Sequence, residues 1–383
     1  MQRGWHLVEN VDEVSSPALL IYPERVRENV RRMISTLKGD VARLRPHIKT
    51  HKLPELIALQ MEQGITRFKC ATIAEAEMLA GVGAPDVLLG YQPVGPNVGR
   101  LVELIRKFPN TSFSTVADNA QSICEISAAM ESAGLEAGAG PGDRARSVLD
   151  LFLDIDCGMR RTGVAPGPEA VAIYGQIASS PNLRSAGLHA YDGHIHERAP
   201  AERVSKCEAA FGPVLELRAE LQGKALAVPR IVAGGTPTFA FHAARARDIE
   251  CSPGTCLLWD FGYSSQFADL DFLHAAVLLT RVVSKPAANR LCLDLGHKAV
   301  ASENPHPRVH LLEIPNAKFV MHSEEHLVIE TDQAERFQIG APIYGVPWHI
   351  CPTVALHSEA VAVMDGKAKE RWSIAARARR LTI

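Results

Sequence analysis

The sequence predicts an α/β fold, a (β/α)8 TIM-type barrel with a C-terminal β-rich domain, and three observations carry that expectation. Apolar or β-branched runs alternate with helix-like stretches from residue 43 to 254, no Gly-x-Gly-x-x-Gly follows the first run, and beyond about residue 268 strands follow one another with few helices. Strand–helix alternation implies a parallel sheet covered on both faces, and eight units favour closure over an open doubly wound sheet, which stays as the alternative. At 383 residues the chain exceeds what one core ordinarily serves. The expected division is a barrel over 23–265 and a β-rich domain built from 1–22 and 266–383.

The eight runs are RLRPHIKT (43–50), RFKCAT (67–72), DVLLGY (86–91), TSFSTVA (111–117), LDLFLDID (149–156), SAGLHAY (185–191), RIVAGG (230–235) and DIECSPG (248–254). Helix-like segments separate them, among them PELIALQMEQ after the first, IAEAEMLAG after the second and a long stretch at 199–222 after the sixth. Thr72 and Glu75 have the spacing of a capping box, which starts a helix directly after the second run. Ahead of the barrel, PALLIY (17–22) reads as a strand, and Pro23 opens a helix because the first helical turn does not use the N–H that proline lacks. The later strands are AAVLLTRVVSK, RLCLDLG, KFVMHSEEHLVIET, APIYGV, EAVAVMDG and RWSIAAR, with MDGK as a hairpin signal between the last two.

Composition narrows the function. With 46% hydrophobic residues, 22% charged residues and a net charge of −2, the chain is an ordinary globular protein. Near-neutrality argues against nucleic acid or an anionic membrane as partner and leaves a small molecule. The eight cysteines form no CxxC pair and MQRGWHLVEN lacks a signal-peptide layout, so reduced thiols in the cytoplasm are expected. Runs such as AAVLLTRVV are too short and interrupted to span a bilayer.

Barrel enzymes build their sites at the C-terminal ends of the strands. The first run ends in Arg45-Pro46-His47-Ile48-Lys49-Thr50-His51-Lys52. A solvated charged patch is the plain alternative, but Lys49 alternates with Arg45 and His47 at the end of an apolar strand. There an amine is partly desolvated, its pKa falls, and the neutral form can attack an aldehyde. RPHIKTHK, followed by CATIAEAE, resembles the D-threonine aldolase and D-serine dehydratase family, pyridoxal-phosphate (PLP) enzymes on the alanine racemase barrel. The resemblance implies that Lys49 carries PLP as a Schiff base, with Lys52 in support.

Other stretches extend it. Asp156-Cys157-Gly158-Met159-Arg160-Arg161-Thr162-Gly163 resembles an alanine racemase stretch, which implies that Arg161 holds the phenolic oxygen of PLP through a charge-assisted bond. Tyr191 is grouped with the cofactor-binding residues. Phosphate needs converging backbone N–H donors, which Gly234-Gly235-Thr236 and Gly254-Thr255 can supply at adjacent strand ends. Where alanine racemases place an arginine facing the pyridine nitrogen, this chain has Ser252, which argues against racemase chemistry and leaves room for a lyase.

In the β-rich region, His349 and Cys351 would face the same way on a strand and can share one ion, although a lone HxC pair is ordinarily structural. The family has a metal pair here, which implies a divalent site at His349 and Cys351, with Zn²⁺ or Mn²⁺ ahead of Mg²⁺. The aldolases have a histidine after the tyrosine of the sixth run; Asp192 stands there, so Asp192 or His194 is the candidate base for the substrate's β-hydroxyl. Histidines in such a loop are otherwise a solvated surface. The expected activity is a PLP- and metal-dependent lyase acting on D-3-hydroxy amino acids, first a D-threonine aldolase. The alternative is a D-serine or D-threo-3-hydroxyaspartate dehydratase. A noncatalytic PLP-binding protein is the third reading, disfavoured because such proteins consist of the barrel alone. The fold group implies a homodimer.

Overall fold

Strand β1 (Ala18–Ile21) and helix α1 (Pro23–Thr36) open the chain where the sequence places them. They belong to a computed structural model describing residues 4–134 and 148–383. The chain divides into two units. One comprises Met33–Lys49, Gln60–Gly254 and Ala378–Ile383, and the other Met1–Arg32, Thr50–Leu59 and Thr255–Arg377. Segments 23–32, 50–59 and 255–265 thus group with the strand-rich unit, although the sequence assigned them to the barrel.

Among the described residues the first unit holds seven parallel strands in sequential order: β2 (Arg67–Cys70), β3 (Asp86–Leu89), β4 (Ser112–Ala117), β5 (Leu149–Ile155), β6 (Leu183–Ala190), β7 (Ile231–Ala233) and β8 (Ile249–Cys251). The expected eighth member, 43–50, is not a regular strand. Pro46 has no N–H to give a ladder, and the segment instead makes isolated bridges, Leu44 to Cys251 on one side and His47 to Lys69 on the other. Three backbone bonds accompany them: Arg45 N–H to Cys251 O (2.9 Å), His47 N–H to Pro253 O (2.8 Å) and Lys69 N–H to Pro46 O (2.9 Å). The segment therefore spans from β8 to β2 and completes the ring. Lys49 then lies on a single 3₁₀ turn, Ile48–Thr50, rather than at the alternating end of a strand.

Alternation along the strands stacks the barrel interior in layers. At the strand starts, buried Arg45 bonds both oxygens of Asp86 (2.7 and 3.1 Å) and Glu250 (2.6 Å), while Arg67 and Arg230 join the same carboxylates and Asp150. An apolar layer of Leu88, Val116, Phe152, Ala186 and Val232 lies beyond it. At the strand ends the interior turns polar again, with Lys69, Asp154 and His189. Among the covering helices, Ile73–Gly81 begins with the expected capping box. Thr72 Oγ1 accepts from Glu75 N–H (3.1 Å), and the Glu75 carboxylate accepts from Ala71 N–H (2.6 Å).

The second unit is built on a sheet of order β12-β13-β10-β9-β1-β15-β16, with β14 also on β9 and β11 on β14. These are β9 (Ala276–Ala287), β10 (Arg290–Leu293), β11 (Val309–Leu311), β12 (Lys318–His322), β13 (Leu327–Glu330), β14 (Pro342–Pro347), β15 (Glu359–Met364) and β16 (Lys367–Ser373). Its core joins Leu20, Val277, Leu279, Tyr344, Val346 and Val363. The MDGK turn has Asp365 at φ 53° and Gly366 at φ 74°, the paired positive values of a tight hairpin. Among the described residues no helix is long and apolar enough to cross a membrane.

Candidate active site

In the barrel unit the reactive groups gather around one ring. Lys49 Nζ and Lys69 Nζ each lie 5.6 Å from the Tyr191 ring centroid, and the Arg161 guanidinium carbon lies 5.0 Å from it. Glycines permit the ring to lie where it does: a Cβ on Gly193 would come within 2.3 Å of it, and one on Gly235 within 3.1 Å. Arg161 is carried by a turn in which the Asp156 carboxylate accepts from the N–H groups of Gly158 and Arg160 (2.9 Å each), and Gly163 N–H reaches Asp118 (2.9 Å).

The most deeply buried amine is Lys69, not Lys49. Burial, with Lys49 next, lowers the Lys69 pKa to about 7. Nearby, His189 Nδ1 meets Asp154 at 2.6 Å, and burial together with Lys69 lowers the pKa of this imidazole. Burial alone would raise the Asp154 pKa, but His189 and Lys69 outweigh it and hold the carboxylate ionised. A neutral His189 donates from Nδ1, and among the described residues its buried Nε2 has no hydrogen-bond partner. That orphaned nitrogen is a position for a bound group to complete.

The two glycine turns are tied by threonines. Gly235 N–H donates to Thr238 Oγ1 and Gly254 N–H to Thr236 Oγ1, each at 3.2 Å. Gly234 has φ +74°, and a Cβ there would come within 2.5 Å of His242. Asp192, a candidate base, is buried with both oxygens engaged, Oδ1 by the Thr238 hydroxyl (2.8 Å) and Oδ2 by His242 Nε2 (2.7 Å). Its position braces the Gly234–Gly235 turn. His194 is exposed, with its ring where a Cβ on Gly158 would come within 2.8 Å of Nε2. Ser252 is buried and donates to the Arg45 carbonyl (3.0 Å), a bond within the barrel wall.

In the strand-rich unit the expected strand geometry of His349 and Cys351 does not occur. Pro347 ends β14, His349 is the N-cap of helix Ile350–Leu356, and Cys351 lies in that helix's first turn. The side chains nevertheless meet. Burial disfavours charge on His349, yet its contact with Cys351, helped by Glu303 and Asp260, raises its pKa to about 9. Glu303 meets His349 Nδ1 at 2.6 Å, which leaves Nε2 for the cysteine side, the carboxylate–imidazole arrangement found behind metal-ligating histidines. Cys351 Sγ contacts Thr50 Oγ1 (3.2 Å) and Thr255 Oγ1 (3.7 Å). Asp260 sets the helix by accepting from Ile350 N–H (3.0 Å) and Tyr263 N–H (2.9 Å). An imidazole and a thiol with a carboxylate behind them suit a divalent ion; among the described residues no three His, Cys, Asp or Glu converge.

The alanine racemase N-terminal domain model matches residues 21–260, and a serine dehydratase domain model matches 275–363. A D-threonine aldolase from Arthrobacter is 30% identical over 95% of this chain and 93% of its own. The chain belongs to the D-threonine aldolase and D-serine dehydratase family. A 3-hydroxy-D-aspartate aldolase from Paracoccus denitrificans is 28% identical over 95% of this chain and 92% of its own. The crystal structure of a D-threonine aldolase from Filomicrobium marinum superposes with a TM-score of 0.85 at 28% identity, covering 95% of both chains. As a member of this lyase family the protein is an enzyme on the alanine racemase fold.

Within this family member, sequence reasoning located Lys49, Arg161 and Tyr191, which the structure gathers, and His349 with Cys351, which it pairs by a different local geometry. It passed over Lys69, although Arg67 and Lys69 stand two apart in the short apolar run RFKCAT and so share its inner face. Asp154 and His189 carried the same signal, ionisable groups inside apolar strands. Glu303 and Asp260 reach His349 and Cys351 only through loop and helix placement, for which no local pattern exists.

Proposed function

We propose that the protein is a PLP- and divalent-metal-dependent lyase that cleaves D-3-hydroxy amino acids, in the first place D-threonine to glycine and acetaldehyde. The observation that carries the reading is the cationic face of Lys49, Lys69 and Arg161 at the barrel's strand ends, facing Tyr191. Similarity along the whole chain to a D-threonine aldolase supports it. Bound PLP would supply the electron sink for the bond broken at Cα.

The chain's own residues divide the remaining work. Lys49 would hold the cofactor covalently, Arg161 would neutralise its phenolate, and the Gly234–Gly235–Thr236 and Gly254–Thr255 turns would cradle its phosphate, with the glycines shaping the turns because the N–H groups of Gly234, Gly235 and Gly254 are bonded within the barrel unit. Asp192 positions the first of those turns through Thr238 and His242. His349 and Cys351 hold the divalent ion, and Glu303 fixes the imidazole. His194, an exposed imidazole beside the turn that carries Arg161, would take the β-hydroxyl proton. Loss of that proton would let Cα–Cβ break with release of the aldehyde, and a proton delivered to Cα would complete glycine. If instead the Lys49 amine, displaced from the cofactor by the substrate's amino group, removes the α-proton, the β-hydroxyl would leave with a proton as water, and hydrolysis of the released enamine would give a 2-oxo acid and ammonia.

That second outcome, a D-serine or D-threo-3-hydroxyaspartate dehydratase, is favoured by Cys351, which matches the dehydratase pattern at the metal pair. A homodimer in the cytoplasm completes the proposal. Incubation with PLP, Mn²⁺ or Zn²⁺ and D-threonine is expected to give glycine and acetaldehyde. Formation of 2-oxobutyrate, or of pyruvate from D-serine, would select the dehydratase; absence of every product would defeat the lyase reading.

A further inference from the structure

Glu303 and His349 meet at 2.6 Å, yet their side chains are 47% and 44% exposed. A pair so exposed gains little over water and does not hold one geometry unaided. A metal-ligating imidazole nevertheless needs that partner fixed, because the acceptor at Nδ1 leaves Nε2 as the nitrogen that faces the ion. Buried groups supply the fixing, one turn further along. Thr353 is fully buried in the helix Ile350–Leu356. Its hydroxyl donates to the His349 carbonyl (2.8 Å) and accepts from Ala301 N–H (3.1 Å). The first bond alone is the ordinary back-bond of a helical threonine to the residue four before it. The second reaches 52 residues along the chain, to the segment that carries Glu303. That segment is fastened on either side as well. His357 Nε2 donates to Ala299 O (2.8 Å), and Arg308 donates from Nε to Asn304 O (3.0 Å) and from a terminal nitrogen to His322 Nδ1 (3.1 Å). Asn304 Nδ2 in turn donates to the Glu303 oxygen that meets His349 (2.9 Å). Among these bonds, those of the Thr353 hydroxyl also hold the backbone of His349 itself.

We propose, on the reading of His349 and Cys351 as ligands of a divalent ion, that Thr353 is the positioning residue of this pair. Its hydroxyl sets how the Glu303 carboxylate meets Nδ1 of His349, and so which nitrogen the ion finds. One hydroxyl away from water satisfies a donor on the Glu303 segment and an acceptor on His349. Moving either partner leaves a buried polar group unmatched, which costs more than the exposed Glu303–His349 contact gains. The buried bonds therefore decide the geometry, and the exposed pair follows it. One short helix thus carries the imidazole at its N-cap, the thiol in its first turn and, two positions later, the hydroxyl that ties them to Glu303.

Co²⁺ binding to the full-length protein, followed by chelator competition and by the thiolate-to-cobalt absorption band, tests the proposal on Thr353→Val and Thr353→Ser, each with and without Glu303→Ala. Thr353→Val keeps the shape and loses the hydroxyl; it is expected to weaken Co²⁺ binding by about ten-fold, while Thr353→Ser stays within about two-fold of wild type. With Glu303→Ala already in place, the Thr353→Val loss should disappear, because Thr353 acts through that carboxylate. A loss of equal size with and without Glu303 would make Thr353 a helix brace and overturn the proposal. Wild-type affinity in Thr353→Val, or a loss just as large in Thr353→Ser, would overturn it too. Should Thr353→Val not fold, Thr353→Ala removes the same hydroxyl and enters the same comparison. If the wild-type protein shows no cobalt–thiolate band that Cys351→Ser removes, the reading of the metal pair itself falls, and this proposal with it.

Discussion

In the barrel unit, three cations crowd one tyrosine ring and the carboxylate among them is bonded to a histidine. In the strand-rich unit, an imidazole and a thiol meet beside two carboxylates, Glu303 and Asp260. One site has an excess of positive charge at the ends of parallel strands and the other an excess of negative and polarisable donors at a helix start. The difference fits the ligands proposed for each: a phosphorylated phenolate for the first and a divalent cation for the second. The two polarities also respond to different substitutions.

The largest expected effect breaks the barrel side alone. Lys49→Ala should lower activity by at least about a thousand-fold and abolish the absorbance band near ~420 nm, while the metal content stays at wild-type level. Next, His349→Ala should reduce activity by roughly a hundred-fold or more with the band intact, measured by product formation beside metal analysis. Loss of the band in that variant would show that the two sites are not separable. A smaller effect sharpens the donor argument: Glu303→Gln should weaken metal binding by about ten- to a hundred-fold, read by chelator competition, because the imidazole loses the carboxylate that orients it.

The last effect is on stability alone, not on activity. Lys69 has a pKa lowered from 10.5 to about 7, so between those values the unfolded chain binds more protons than the folded one. Stability therefore rises with pH across that window, by up to ~1.4 kcal/mol per pH unit for this single group, and the penalty is constant below about pH 7. Lys69→Met should flatten the slope between pH 7 and 10.5 in urea unfolding of the cofactor-free protein. A slope unchanged by the substitution would contradict the burial of this amine.

His349 and Cys351 meet as expected, but not through the expected local structure. Strand alternation alone left them ordinarily structural, with the metal pair implied by the family resemblance, whereas Pro347 and the Asp260 carboxylate start a helix there and bring the side chains together from its N-cap and first turn. Asp192 shows the reverse. Its place after Tyr191 made it a candidate base, but partners 46 and 50 residues away occupy both of its oxygens.

By itself the sequence determined the strand–helix order, the capping box at Thr72, the Asp365–Gly366 hairpin and the lysine, arginine and HxC motifs, because each depends on neighbours within a few residues. Only the tertiary structure decided that Pro46 replaces a strand by bridges, that Lys69 rather than Lys49 is the desolvated amine, and that Glu303 and Asp260 stand beside His349 and Cys351. Burial and charge coupling depend on side chains brought together from distant elements, and no local pattern encodes them.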